Sequence, residues 1–336
     1  MINIGVIGYG YWGPKIVRNI MKIDGFMITK IVDLNKQNLL RAKKLYPRLV
    51  LSNDYNDIIN DKNTNAVVIA TPVSTHFTLA KAALNAMKHT LVEKPLASTS
   101  EECKILIDLA HTNELILQVD HIFPYTGAIS KIKSLFKDKS LGKPLYYDSV
   151  RINLGLFQND VNVIWDLAVH DLSILDYLFE FEPVSLIANG VAHIKGQKEN
   201  IAYLTLNYPN NFMVNIHVNW LSPVKVRKIL IGCDRKMIVY DDLEPTEKVK
   251  VYNKGLTKNN HSSNLYNMRV GYRLGDIWAP HLDLTEGLYK MLEHFKYCIN
   301  LNKKPMTSAL SGFKVVKIME AATRSMENNG KLEILK

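Results

Sequence analysis

The chain has 336 residues, too many for one ordinary core and enough for two domains. Apolar residues make up 47% and charged ones 22%, which excludes a disordered chain, and no apolar run reaches membrane-spanning length. The net charge is +10, but residues 1–120 hold 14 Lys and Arg against 11 Asp and Glu, and residues 121–336 hold 28 against 21; an excess spread this thinly, apart from a cluster at Lys131, Lys133, Lys137, Lys139 and Lys143, argues against a nucleic-acid partner.

Residues 1–8 read as a strand and not as the basic-then-apolar start of a secretion signal, so the expected location is the cytoplasm. The run 2–7 is apolar and ends in glycines, and helical spacing follows to about Met21. A second apolar run, 27–32, ends at Asp33, and a helix is predicted over 35–46. Residues 66–70 are rich in strand formers, 75–88 have helical spacing, and 90–92 form a short strand ending at Glu93-Lys94-Pro95. Thr99 and Glu102 stand at capping-box spacing before a helical run to His111, and 115–119 closes the series. Strands alternating with helices over 120 residues predict a parallel, doubly wound sheet.

Beyond residue 120 the pattern changes. One helix is predicted across 161–180, and strand-like runs fill 184–252. In 212–220, Phe212, Val214, Ile216, Val218 and Trp220 face one way, and Met213, Asn215, His217 and Asn219 the other. That alternation predicts an antiparallel sheet covered on one face. The segment 253–283 shows neither period, and helices return at about 285–301 and 311–328. The chain is thus expected to be α/β, with a dinucleotide domain at 1–120 and a substrate domain at 121–336.

Gly8-Tyr-Gly10-Tyr-Trp-Gly13 is a G-x-G-x-x-G placed after a strand and at the opening of a helix. The first glycine permits the tight turn, the second admits a pyrophosphate to the backbone, and the third lets helix and strand pack closely. The pyrophosphate then meets free N–H groups at the helix N-terminus. Asp33, at the end of the second strand, can bind the ribose 2′-hydroxyl of NAD and would repel a 2′-phosphate.

Lys94 stands at the carboxyl end of a strand, where ligands of open α/β sheets bind. By itself it could equally be a surface lysine before a turn. Asp166 and His170 are four apart on a helix, which suits a carboxylate tuning an imidazole for acid–base work and equally an ordinary helix pair. Cys103, Cys233 and Cys298 are dispersed and odd in number, so they suggest neither a disulfide framework nor a zinc ligand set, and no metal is expected.

Taken together, the glycine motif, Ala70-Thr71-Pro72-Val-Ser-Thr-His76, Glu93-Lys94-Pro95, Gln118-Val-Asp-His121 and Asp166-x-x-x-His170 resemble the Gfo/Idh/MocA oxidoreductase family over essentially the whole chain. The resemblance implies an N-terminal Rossmann domain and a C-terminal α+β domain with a large, mainly antiparallel, open-faced sheet that mediates assembly into a homodimer or homotetramer. It implies NAD held by Gly8, Gly10, Tyr11, Trp12 and Gly13, with Asp33 and Leu34 at the ribose. Thr71, Pro72, His76, Glu93 and Lys94 complete that side. Lys94, Asp166 and His170 match the catalytic set. Substrate contacts are then expected from Lys94, His121, Tyr125, Asn162 and His170, and from Arg151 and Asn153, which share a strand face. Tyr11-Trp-Gly-Pro14, Arg151-Ile-Asn-Leu-Gly155 and Tyr272-Arg273-Leu-Gly-Asp276 resemble the branch found with bacterial polysaccharide genes, which implies a nucleotide sugar such as UDP-N-acetylglucosamine, oxidised at C3, with Arg273 among its contacts. A free-sugar or inositol dehydrogenase is the alternative within the class, and a non-catalytic dinucleotide-binding regulator the alternative outside it. Asp120 departs from the glycine that many relatives carry before the position of His121.

Overall fold

The first six strands are β1 (Ile2–Ile7), β2 (Phe26–Val32), β3 (Val50–Ser52), β4 (Ala66–Ile69), β5 (His89–Glu93) and β6 (Leu117–Asp120), and they form one parallel sheet in the order β3-β2-β1-β4-β5-β6. The structure, a computed structural model, describes residues 1–155, 160–257 and 271–335, the side chains of 255–257 and 271–273 excepted. The strands are joined through α1 (Gly13–Ile20), α2 (Lys36–Leu45), α3 (Asn56–Ile59), α4 (His76–Asn85) and α5 (Ser100–Thr112). Helices over both faces leave the central strands dry, which is why β4 reads Ala-Val-Val-Ile and is buried throughout. Asn35 caps α2 by accepting from the Gln37 N–H. At α5 the Thr99 hydroxyl accepts from Glu102 N–H at 3.1 Å, while the Glu102 carboxylate reaches back to Ser98 N–H at 3.0 Å. The return bond of the expected capping box therefore lands one residue early. Chain order reverses between β1 and β4, which places a ligand crevice at their carboxyl ends.

A second sheet follows. Helix α6 (Gly127–Lys137) leads to β7 (Pro144–Leu154), and a π-helical turn, Ile164–Ala168, runs into α7 (Val169–Leu178). Then come β8 (Ser185–Val191), β9 (Ile201–Asn207), β10 (Met213–Asn219), β11 (Leu221–Cys233), β12 (Met237–Asp241) and β13 (Val249–Tyr252). The expected aperiodic segment holds a ribbon of β14 (Gly255–Thr257) and β15 (Gly271–Arg273), and an edge strand, β16 (Ile277–Trp278). With β17 (Glu333–Ile334) the described strands order as β16-β13-β12-β11-β7-β10-β9-β8-β17. All these pairings are antiparallel except that of β7 with β10. The alternation expected over 212–220 is present: Phe212, Val214, Ile216, Val218 and Trp220 are buried, and Met213 on the other face is exposed. Phe212 packs on Phe179 just past α7, ring centres 4.9 Å apart.

Helices α8 (Gly287–Leu301) and α9 (Ala309–Glu327) change the domain division expected from sequence. The chain packs as one unit of Met1–Thr126 with Thr285–Glu320 and another of Gly127–Leu284 with Ala321–Lys336, not as 1–120 followed by 121–336. The reason is the apolar stripe of α8. Leu288, Met291, Leu292, Phe295 and Cys298 are buried in the same cluster as Val6, Ile16 and Ile20. A Phe295→Ala change there would cost about 3–5 kcal/mol. Among the described residues no helix is long and apolar enough to cross a membrane.

Candidate active site

The glycine-rich turn is built as its spacing predicts. Gly8 has φ +99°, and a Cβ there would strike the Ala70 carbonyl, while one on Gly13 would strike the Gly8 carbonyl. A Cβ on Gly10 would meet nothing within 4 Å, so its backbone is open to an approaching diphosphate. Asp33 braces this turn as well as facing outward. Its Oδ2 accepts from the Tyr9 N–H at 2.6 Å and the Asn38 amide at 3.1 Å, and its Oδ1 from the Asn35 N–H at 2.7 Å. Arg41, which no sequence signal marked, donates to the Tyr9 and Gly10 carbonyls at 3.1 Å each. Gly8, Gly10, Asp33, Leu34, Thr71 and Pro72 line a cavity of about 560 Å³. Open glycine backbone, a fixed carboxylate and a cavity of this size fit the adenosine and pyrophosphate part of NAD.

His76, expected at the cofactor, is fully buried instead. Nδ1 lies 2.7 Å from the Pro95 carbonyl and Nε2 2.8 Å from the Thr71 carbonyl. Carbonyl oxygens only accept, so both bonds form only when both ring nitrogens carry hydrogens. His76 thus ties the loop after β4 to the loop after β5 from beneath. Tyr11 is 78% exposed and makes its ring contact with Trp12.

At the ends of β5 and β6, Glu93 and Asp120 are cross-strand partners. The Trp12 indole donates to Asp120 Oδ2 at 2.6 Å. Lys94 follows Glu93, partly buried, and its peptide bond to Pro95 is cis. His121 is buried, and neither ring nitrogen has a hydrogen-bond partner among the described residues. Burial, with the nearby Lys94 charge, pushes its pKa down to about 3, so the imidazole is neutral at physiological pH.

Asp166 lies in the π-helical turn and His170 in the first turn of α7, both partly buried. Such turns recur at functional sites because the widened ladder re-aims its side chains. Trp220 donates its indole N–H to Asp166 Oδ2 at 3.0 Å. Next to His170, Asp171 is fully buried and anchors the helix. Tyr147, Ser149 and Arg151 are spaced by two, hence on one face of β7, and all three meet its carboxylate. Ser149 Oγ donates at 2.6 Å, Tyr147 Oη at 3.2 Å and Arg151 Nε at 2.8 Å.

This anchor corrects the expected role of Arg151, whose guanidinium is buried in the ion pair and is not presented to a ligand. Burial works against its charge, and Asp171 outweighs it. Tyr125 is also a core residue: its phenol accepts from Gln118 at 3.2 Å and pairs with Thr307 at 3.3 Å. Asn162 is buried as a cap, its Oδ1 accepting from the N–H groups of Ile164 at 3.1 Å and Trp165 at 3.4 Å. Asn153 is half-buried on β7, with its Oδ1 unpartnered among the described residues. Arg273 lies in β15, and its side chain is outside the described residues.

Residues 2–121 match the model of an oxidoreductase family with an NAD-binding Rossmann fold, and residues 129–239 match the C-terminal domain of the same family. The chain belongs to the Gfo/Idh/MocA oxidoreductase family. Membership makes it an NAD-binding oxidoreductase with a Rossmann sheet and a large, mainly antiparallel second sheet. Among its relatives, UDP-N-acetylglucosamine 3-dehydrogenase of Acidithiobacillus ferrooxidans is 32% identical over 195 residues, 57% of this chain and 59% of that enzyme. The solved structure of that enzyme superposes with a TM-score of 0.81 at 24% identity, covering 97% of this chain and 98% of its own. Inositol 2-dehydrogenase of Azotobacter vinelandii is 29% identical over 209 residues, 58% of this chain and 61% of that enzyme.

Proposed function

We propose that this Gfo/Idh/MocA enzyme reversibly oxidises a ring hydroxyl of a nucleotide-activated sugar, a UDP-sugar of the UDP-N-acetylglucosamine kind oxidised at C3. His170 takes the hydroxyl proton, and Asp166, oriented by Trp220, fixes the imidazole and stabilises its charged form. Lys94 donates a hydrogen bond to the substrate oxygen as it gains alkoxide character. His121, held neutral, offers one donor and one acceptor to the same substrate. NAD, when bound, accepts the hydride.

The observation that carries the choice of substrate is the likeness to UDP-N-acetylglucosamine 3-dehydrogenase. The basic balance of residues 121–336 supports it, since a diphosphate pairs well with cationic side chains. The likeness to inositol 2-dehydrogenase favours a second reading, a free cyclitol or sugar as substrate. Measuring NADH formation with UDP-N-acetylglucosamine, myo-inositol and glucose at equal concentration separates them. Activity confined to the unphosphorylated compounds would replace the nucleotide-sugar reading with the second. The active form is a homodimer or homotetramer joined through the sheet face of β9 and β10, where the exposed Tyr203 stacks on His217 at 4.3 Å. A monomer mass by light scattering at micromolar concentration would refute that assembly.

A further inference from the structure

Parallel strands set partner residues side by side about 5 Å apart on the same face of the sheet. Glu93 and Asp120 are such partners, both at the carboxyl ends of their strands, where the crevice opens. Two carboxylates in that position repel if both are ionised, and more so where water is scarce. Asp120 is 2% exposed, and burial raises its pKa, opposed first by the neighbouring Glu93 side chain. The Lys94 charge favours the ionised form of Asp120, and the Trp12 indole donates into the Asp120 carboxyl at 2.6 Å. Trp12 lies between Gly10 and Gly13, in the turn that receives the pyrophosphate. Around the pair the other titratable neighbours are His121, neutral, and the buried phenol of Tyr125.

We propose that Asp120 is a positioning residue: through the hydrogen bond it accepts from Trp12 and its place beside Glu93 at the paired strand ends, it holds the dinucleotide turn and the Lys94 strand end in one fixed arrangement. A glycine at this position provides no such tie, so the device belongs to chains that carry the acid. It rests on the oxidoreductase reading only for its effect on turnover. Its effect on cofactor binding stands apart from any sugar.

The distinguishing substitutions are Asp120→Ala, Asp120→Asn and Trp12→Phe. Asparagine keeps an acceptor for Trp12 but carries no charge. Calorimetric titration with NAD, without substrate, is expected to show Asp120→Ala and Trp12→Phe each weakening binding about ten-fold, the loss of one hydrogen bond to a charged carboxyl. The double variant should be no weaker than either single one, because both remove the same bond. Asp120→Asn should restore NAD affinity to within about two-fold of wild type, because its amide oxygen still accepts from Trp12. Independent, additive losses from Asp120→Ala and Trp12→Phe would overturn the proposal. So would Asp120→Asn binding NAD as poorly as Asp120→Ala, or wild-type affinity in Trp12→Phe. Failure of every sugar to react would refute the substrate reading and leave these binding results standing.

Discussion

Trp220, at the junction of β10 and β11, donates its indole N–H to the carboxylate of Asp166 at 3.0 Å and is itself 1% exposed. The group that holds the Asp166 carboxylate is therefore fixed in the sheet core. Trp220→Phe removes the donor and keeps most of the packing. A hydrogen bond to a charged group contributes about 1.5–3 kcal/mol, so kcat should fall on the order of ten-fold or more at saturating NAD. An unchanged kcat in a variant with wild-type melting would show that Asp166 needs no such support.

Loss of a group that moves or stabilises the reacting proton is more severe. Lys94→Ala and His170→Ala should each lower turnover roughly 100-fold or more. Both should bind NAD as the wild type does, since neither belongs to the cavity formed by Gly8, Gly10 and Asp33. Asp166→Asn should do less harm, because an amide still occupies the orienting position. Near-normal turnover in His170→Ala would remove His170 from proton transfer.

Cofactor choice should rest on Asp33. Its carboxylate is held by three N–H donors, so it cannot swing aside for a 2′-phosphate. Asp33→Ala is expected to shrink the preference for NAD over NADP by about ten-fold or more, read as the ratio of the two Kd values. A wild-type protein that bound NADP more tightly would contradict the assignment.

Much of this was legible in the residues themselves. A G-x-G-x-x-G after a strand and an acid at the end of the next one leave few folds open, because each residue answers a local steric or electrostatic demand. The alternation around His217 was equally plain. What could not be read is what depends on partners far along the chain. Trp12 and Asp120 are 108 positions apart, and no spacing rule links them. Arg151 was read as a ligand contact because a strand arginine beside asparagine resembles an open polar face, whereas burial against Asp171 is decided by where α7 lies. The stripe on α8 announces a helix with one buried side and says nothing about whose core receives it.

Acid should weaken the fold through His121. The buried ring takes a proton only below about pH 3, while the unfolded imidazole titrates near 6.5. Between those values the unfolded chain binds the extra proton, so stability falls as pH drops, by about 1.4 kcal/mol per unit. From pH 6.5 to pH 5 the loss from this group is about 2 kcal/mol. Urea unfolding of wild type and His121→Gln at both pH values should show a shallower loss in the variant. Equal losses would mean that the ring meets its proton in the folded state after all.

Helix α8 also sets an order of events. It packs against α1, and its side chains fill the core that begins at Ile2. A ribosome therefore has to release the chain through α8 before the first core can close. Until then the face of α1 around Ile16 and Ile20 has no lid, although its own strand and turn are long finished. The glycine turn and α1 are sealed by a helix far downstream, so a protein truncated at Thr126 would keep the turn and lack the helix that seals it.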